Sequence, residues 1–245
     1  MKRKVVKQGP ATCMVSLPSK WVKEYHIKAG EDIEVEEKGS ILNIYAGKGK
    51  ELGETTVIIV PGTIGFLKSI IANAYKKGYD TVRINFDDPA VISKINEVIE
   101  TLMGFEIIEE GDNYCIAQNV AKGIESQYDA LMKKSYNMTL DSGKLVYNEL
   151  KTSDFSASPN IFSKRNTVTK FTDFCKRLIN INLRSSDTLT FNYVLVWTLE
   201  KISNEFMYIH RYCEQNNIKE VSPHILKFFE HSLNQLESFI EAFYS

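Results

Sequence analysis

"KRKVVKQGPATCMVSLPSKWVKEYHIK", residues 2–28, is the stretch on which the reading of the chain turns. It holds Lys2, Arg3, Lys4, Lys7, Lys20, Lys23 and Lys28 against one acid, Glu24, a local charge of +6. The whole chain of 245 residues has a formal net charge of −1, so the remaining residues together carry −7. Directly after this segment Glu31, Asp32, Glu34, Glu36 and Glu37 stand against Lys38, a local −4. Segregated signs of this kind create a field with a positive side, and such a field attracts phosphate backbones. The competing reading is charge that merely solvates one face of a small domain.

Within the segment, KVVKQ and TCMVSLP read as short strands separated by the turn signal GPA. Ser19 after Pro18 is placed to cap a short helix, KWVKEYHI, and Gly30 to end it. DIEVEE then alternates polar and apolar residues, KGS turns, and ILNIYA closes a hairpin. A segment of 46 residues has too little core to be stable alone, which implies a partner subunit.

Working outward, GKGKELGE (47–54) reads as a glycine-rich linker. TTVIIV, a helix over GFLKSIIANAYKKG, and the strand TVRINF follow. A helix over DPAVISKINEVIETLMG has Asp88 as cap and Pro89 at its first position. The hairpin FEIIEE–GDN–YCIAQ completes a small α/β unit over 55–120. Gly62 and Gly65 lie between a strand and a helix, but no Gly-Lys-Ser/Thr ending follows, so an ordinary tight turn is expected there.

From Lys122 onward the period changes to three-four spacing, and 121–245 reads as a helical domain. Its first seam runs Ile124, Tyr128, Leu131, Ser135, Met138, Leu145, Glu149, and its second Val168, Phe171, Cys175, Leu178. Leu195, Leu199, Ile202, Phe206, Ile209 and Cys213 make a third. Ile225, Phe229, Leu233, Leu236, Ile240 and Phe243 make a fourth. Breaks at SDFSASPN, RSSD and NNIKEVSP leave four helices with short connections, an antiparallel bundle. The expected fold class is therefore α+β, in three parts.

Several functions find little support. No apolar run approaches the roughly 20 residues of a membrane span, and no signal core follows the basic start, so a cytoplasmic protein without membrane insertion is expected. Cys13, Cys115, Cys175 and Cys213 form no CxxC and read as buried small hydrophobes. His210 with Cys213, and His224 with Glu230 and His231, are too sparse for a metal site. No nucleophile–base pattern is recognisable, so an enzyme is not expected.

Residues 4–44, KVVKQGPATCMVSLPSKWVKEYHIKAGEDIEVEEKGSILNI, resemble the AbrB/SpoVT-type swapped-hairpin DNA-binding domain. The marks are Leu17-Pro18, the short helix ending near Ile27, Gly30 followed by acids, the alternating Ile33 and Val35, and Leu42-Asn43-Ile44. The resemblance implies a 1–46 domain whose hairpins interleave with those of a second copy into one barrel. The order of domains resembles archaeal PhoU-like phosphate uptake regulators, with AYKKGYDTVRINFDDPAVISKINEVIETLMGFEIIEE (74–110) matching the approach to the helices. PhoU helices carry paired carboxylates that bind metal. In LEKISNEF (199–206) Glu200 matches the first acid, but Asn204 stands where the family has Asp. Arg165, Asn166 and Thr169 stand where further acids are expected. The resemblance thus implies the helical fold without its metal, and no cofactor.

These readings converge on a homodimeric regulator of phosphate uptake that binds double-stranded DNA through Lys2, Arg3, Lys4, Lys7, Lys20 and Lys23. Its helical domain would sense a ligand or dock a partner, such as a phosphate-transport component. The alternative is a PhoU-like adaptor acting on a transporter or kinase, with the N-terminal domain serving only dimerisation.

Overall fold

A computed structural model describes residues 2–10, 12–45, 52–121, 127–182 and 189–244. The fold is mixed α+β and divides into two compact units, Met1–Glu51 and Leu52–Ser245.

In the first unit, β1 (Val5–Gln8) and β2 (Thr12–Val15) form an antiparallel ribbon with Val5 opposite Val15 and Lys7 opposite Cys13. Gly9 makes the turn with φ +79°, a conformation open to glycine without steric cost. Helix α1 (Ser19–Glu24) follows, and β3 (Glu34–Lys38) pairs antiparallel with β4 (Ile41–Tyr45). One detail differs from expectation: Ser19 is the first helical residue, and the capping position is Pro18, with no side-chain cap. Among the residues of this unit whose side chains are described, none is buried. They form two separate two-stranded sheets and no closed barrel.

The second unit begins with a four-stranded sheet in the order β5-β6-β8-β7. β5 (Leu52–Ile59) runs parallel to β6 (Tyr79–Phe86) through α2 (Leu67–Lys77), the crossover that a parallel pair requires. The end of the expected linker, residues 52–54, is therefore strand, and the rest of it lies outside the described residues. Pro61–Phe66 is a 3-10 turn in which the Val60 N–H donates to Thr63 Oγ1 at 3.0 Å, an ordinary turn as expected. Asp88 caps its helical segment by accepting from the Ala90 N–H at 2.9 Å, with Pro89 at the first position, before α3 (Ile92–Glu100). β7 (Phe105–Gly111) and β8 (Tyr114–Asn119) form the antiparallel hairpin. Ile71, Tyr75, Val82, Ile84, Ile95 and Phe105 fill the core between sheet and helices.

Four long helices follow: α4 (Tyr128–Thr152), α5 (Ser158–Asn182), α6 (Leu189–Gln215) and α7 (Pro223–Tyr244). The expected break RSSD and Ile124 lie outside the described residues. Helices α4, α5 and α6 pack on one another, while α7 packs on α4. Gly143 permits this: a Cβ there would lie 2.5 Å from Leu233 Cδ2 and 2.8 Å from Phe206 Cε2. Helix α5 also packs on α2, and its Phe174 and Leu178 belong to the core of the sheet, which joins sheet and helices into one unit. Among the described residues no helix is long and apolar enough to cross a membrane.

Candidate nucleic-acid interface

Lys2, Arg3 and Lys4 lead into β1, Lys7 lies on it, and Lys20 and Lys23 occupy α1. All six are exposed, and among the described residues none forms an ion pair. Strand alternation puts Val5 and Lys7 on one side of the ribbon and Val6 and Gln8 on the other. Lys20 and Lys23, three apart, occupy neighbouring positions on α1. The Lys28 N–H donates to Glu31 Oε2 at 2.8 Å, which ties the end of the basic segment to the start of the acidic one.

The same ribbon is apolar on both sides and covered on neither. Val5 and Val15 face each other across it, as do Val6 and Met14, and all four are exposed. Val35 and Leu42 on the second hairpin are about half exposed, at 50% and 57%. Cys13 is exposed as well, contrary to the expectation for all four thiols. The other three are buried. Burial pushes the Cys175 thiol up to about 12 and the Cys115 thiol to about 11, so both stay protonated and unreactive.

The helical unit accounts differently for the residues the PhoU resemblance singles out. Glu200 accepts a hydrogen bond from the buried Lys176 ammonium. That ammonium also donates to Asp173 at 3.2 Å, and Lys76 of α2 lies 3.7 Å from the same carboxylate. Although burial works against its charge, the Glu200 and Asp173 carboxylates hold the Lys176 ammonium above its ordinary value. Arg165 donates to Asn204 Oδ1 at 2.7 Å and to Asn166 Oδ1 at 3.1 Å. A lysine and an arginine thus stand against the very oxygens a metal would need. Among the described residues no group of three or more His, Cys, Asp or Glu side chains is placed to hold a metal ion. His224, Glu230 and His231 are exposed on α7.

Two buried polar arrangements escape a reading of single motifs. Arg177 donates to the carbonyl of Tyr75 (2.9 Å), in the last turn of α2, and to that of Tyr79 (2.7 Å), at the start of β6, and pairs with Asp80. Its cation thereby meets the negative end of the α2 dipole. His210, expected to have a surface or packing role, is wholly buried, with Phe155 and Phe162 rings about it and Glu149 beside it. The available signal was register: Glu149 falls in the seam with Tyr128 and Leu131, and Lys176 and Arg177 sit between Cys175 and Leu178.

No family model, curated protein or solved structure matches the chain.

Proposed function

We propose that the chain is a homodimeric, DNA-binding transcriptional regulator whose helical part senses a ligand or docks a partner. The observation that carries this is the pairing, in one small unit, of six exposed cations, unpaired among the described residues, with apolar ribbon side chains that are exposed. Covering those side chains with a second copy, as interleaved hairpins would, doubles the positive surface about a two-fold axis and suits a two-fold operator. Phosphate uptake is the regulated process that the PhoU resemblance suggests. In this mechanism a ligand or partner on the helices shifts the equilibrium between two arrangements of the paired N-terminal units on DNA.

The exposed aromatic side chains Trp197, Tyr208 and Tyr212 on α6 favour a second reading, an adaptor that docks another protein. Titration against duplex from the chain's own operon and against random duplex, at several salt concentrations, separates the two. The regulator reading expects affinity to fall by about 0.9 log units per neutralised phosphate for each tenfold rise in salt. Absence of salt-sensitive binding to either duplex leaves the adaptor.

A further inference from the structure

Helices α6 and α7 each pack on α4, and they meet one another through Phe206 and Phe229, whose ring centroids lie 5.7 Å apart. The gap between them is a cavity of about 300 Å³ with the buried Tyr136 of α4 among its lining residues. Its α6 wall includes Leu195, Leu199 and Ile202, and its α7 wall Leu236 and Phe239. We propose that this cavity binds an uncharged aromatic molecule of two-ring size.

Three observations select that class. The first is size: an apolar cavity of about 150 Å³ lined by similar residues stays dry and holds benzene, so twice that volume suits two rings. The second is charge: among the described residues no charged side chain lines the cavity. The neighbouring charges are engaged elsewhere, Lys201 over the Trp197 ring and Glu237 with Lys144 at 2.7 Å. A phosphate or carboxylate would meet no counter-charge among these lining residues, which disfavours a charged guest. The third is the aromatic lining: Tyr136 and Phe239 stand with ring centroids 6.0 Å apart at 52°, and the exposed Phe191 belongs to the same lining. Tilted rings offer a planar guest both faces and edges. Thr198, exposed in the same lining, supplies a hydroxyl for one polar group on the guest.

The site stands on this geometry alone; its meaning as an effector site rests on the regulator reading. The test uses the full chain, without DNA, and the uncharged fluorophore N-phenyl-1-naphthylamine. The expected result is saturable, blue-shifted fluorescence with one site per chain. Thr198→Trp should weaken it about tenfold or more by filling the opening. Val194→Trp is the second variant, and an unchanged thermal midpoint certifies the fold of each. Absence of saturable binding, or binding unaffected by both variants, overturns the site. Exclusion of the fluorophore by a wild-type oligomer that either variant dissociates overturns it too, making this face a subunit contact. Fluorophore that binds as expected yet leaves DNA affinity unchanged overturns the effector role. Loss of DNA binding by itself bears only on the regulator reading.

Discussion

Nδ1 of His210 on α6 lies 2.7 Å from Oε2 of Glu149 on α4, with both side chains buried, at 0% and 2% exposure. Removing one partner strands the other, so His210→Leu should cost about 3–5 kcal/mol in denaturant unfolding. Burial raises the Glu149 carboxyl above its ordinary 4.5, and its hydrogen bond to His210 opposes that only in part. Its stabilising contribution is then fully present below the unfolded value and is lost as pH rises through the folded one. Wild-type stability minus that of Glu149→Gln should therefore fall with pH across that window. A difference that is flat there, or that rises, contradicts the assignment.

Lys176 neutralises Asp173 and Glu200 from within the core. Lys176→Met leaves Glu200 without its partner and Asp173 with only the more distant Lys76, at 3.7 Å, and should cost about 3–5 kcal/mol. The triple change with Asp173→Asn and Glu200→Gln should recover much of that loss, since these residues act as one network. With the ammonium in place, purified wild type should carry no stoichiometric iron or zinc. Elemental analysis finding two or more tightly held ions per chain would refute this, and Glu200 would be the first ligand to test.

Gly143 lets α4 approach α6 and α7 together. Gly143→Ala pushes a methyl into Leu233 and Phe206, and the overpacking should outweigh any gain in helix propensity, for a net loss of about 1–3 kcal/mol. Equilibrium unfolding measures it; a stabilised variant would mean the helices part freely at this point.

Val6 is 57% exposed in the single chain. A polar substitution at such a surface position changes stability by only about 0.5 kcal/mol when nothing covers it. In an interleaved dimer the same Val6→Glu change buries a charge. Sedimentation should show wild type as a dimer at micromolar concentration and Val6→Glu largely as monomer. A wild type that is monomeric there removes the dimer from the proposed function.

Arg3 should act differently on DNA from Lys4, which leads into β1, and Lys7, which lies on it. The planar guanidinium can read guanine in two hydrogen bonds, whereas an ammonium contacts phosphate as a point charge. Lys4→Ala with Lys7→Ala removes four lysines from the dimer, and should weaken all duplexes alike and reduce the salt slope by about 3.6 if each contacts one phosphate. Arg3→Lys should erode preference for the operator by about 1–3 kcal/mol while leaving random duplex nearly unaffected. Equal losses on both duplexes would reassign Arg3 to the backbone.

What the sequence determined by itself was local. Asp88-Pro89 starts a helical segment because a carboxylate satisfies a free N–H and proline lacks one. The two residues Asp112 and Asn113 close the β7–β8 hairpin, and the long helices follow from three-four spacing. Those signals act over a few residues, through backbone hydrogen bonds and the period of one apolar face. Ser19 misled because capping depends on the dihedral at Pro18 as well as on a hydroxyl. The basic segment was legible as charge, and its exposure follows from the same small, coreless unit. What only the tertiary structure decided is where charge could be buried. Glu149 and His210 meet across 61 positions, Lys176 and Glu200 across 24, and Arg177 finds the end of α2 from 102 residues away. A charged side chain in a seam reads as an interruption until its counter-charge is placed, because burial is tolerable only with a partner at hydrogen-bonding distance. That partner belongs to another helix, and only the packing of the helices sets it there.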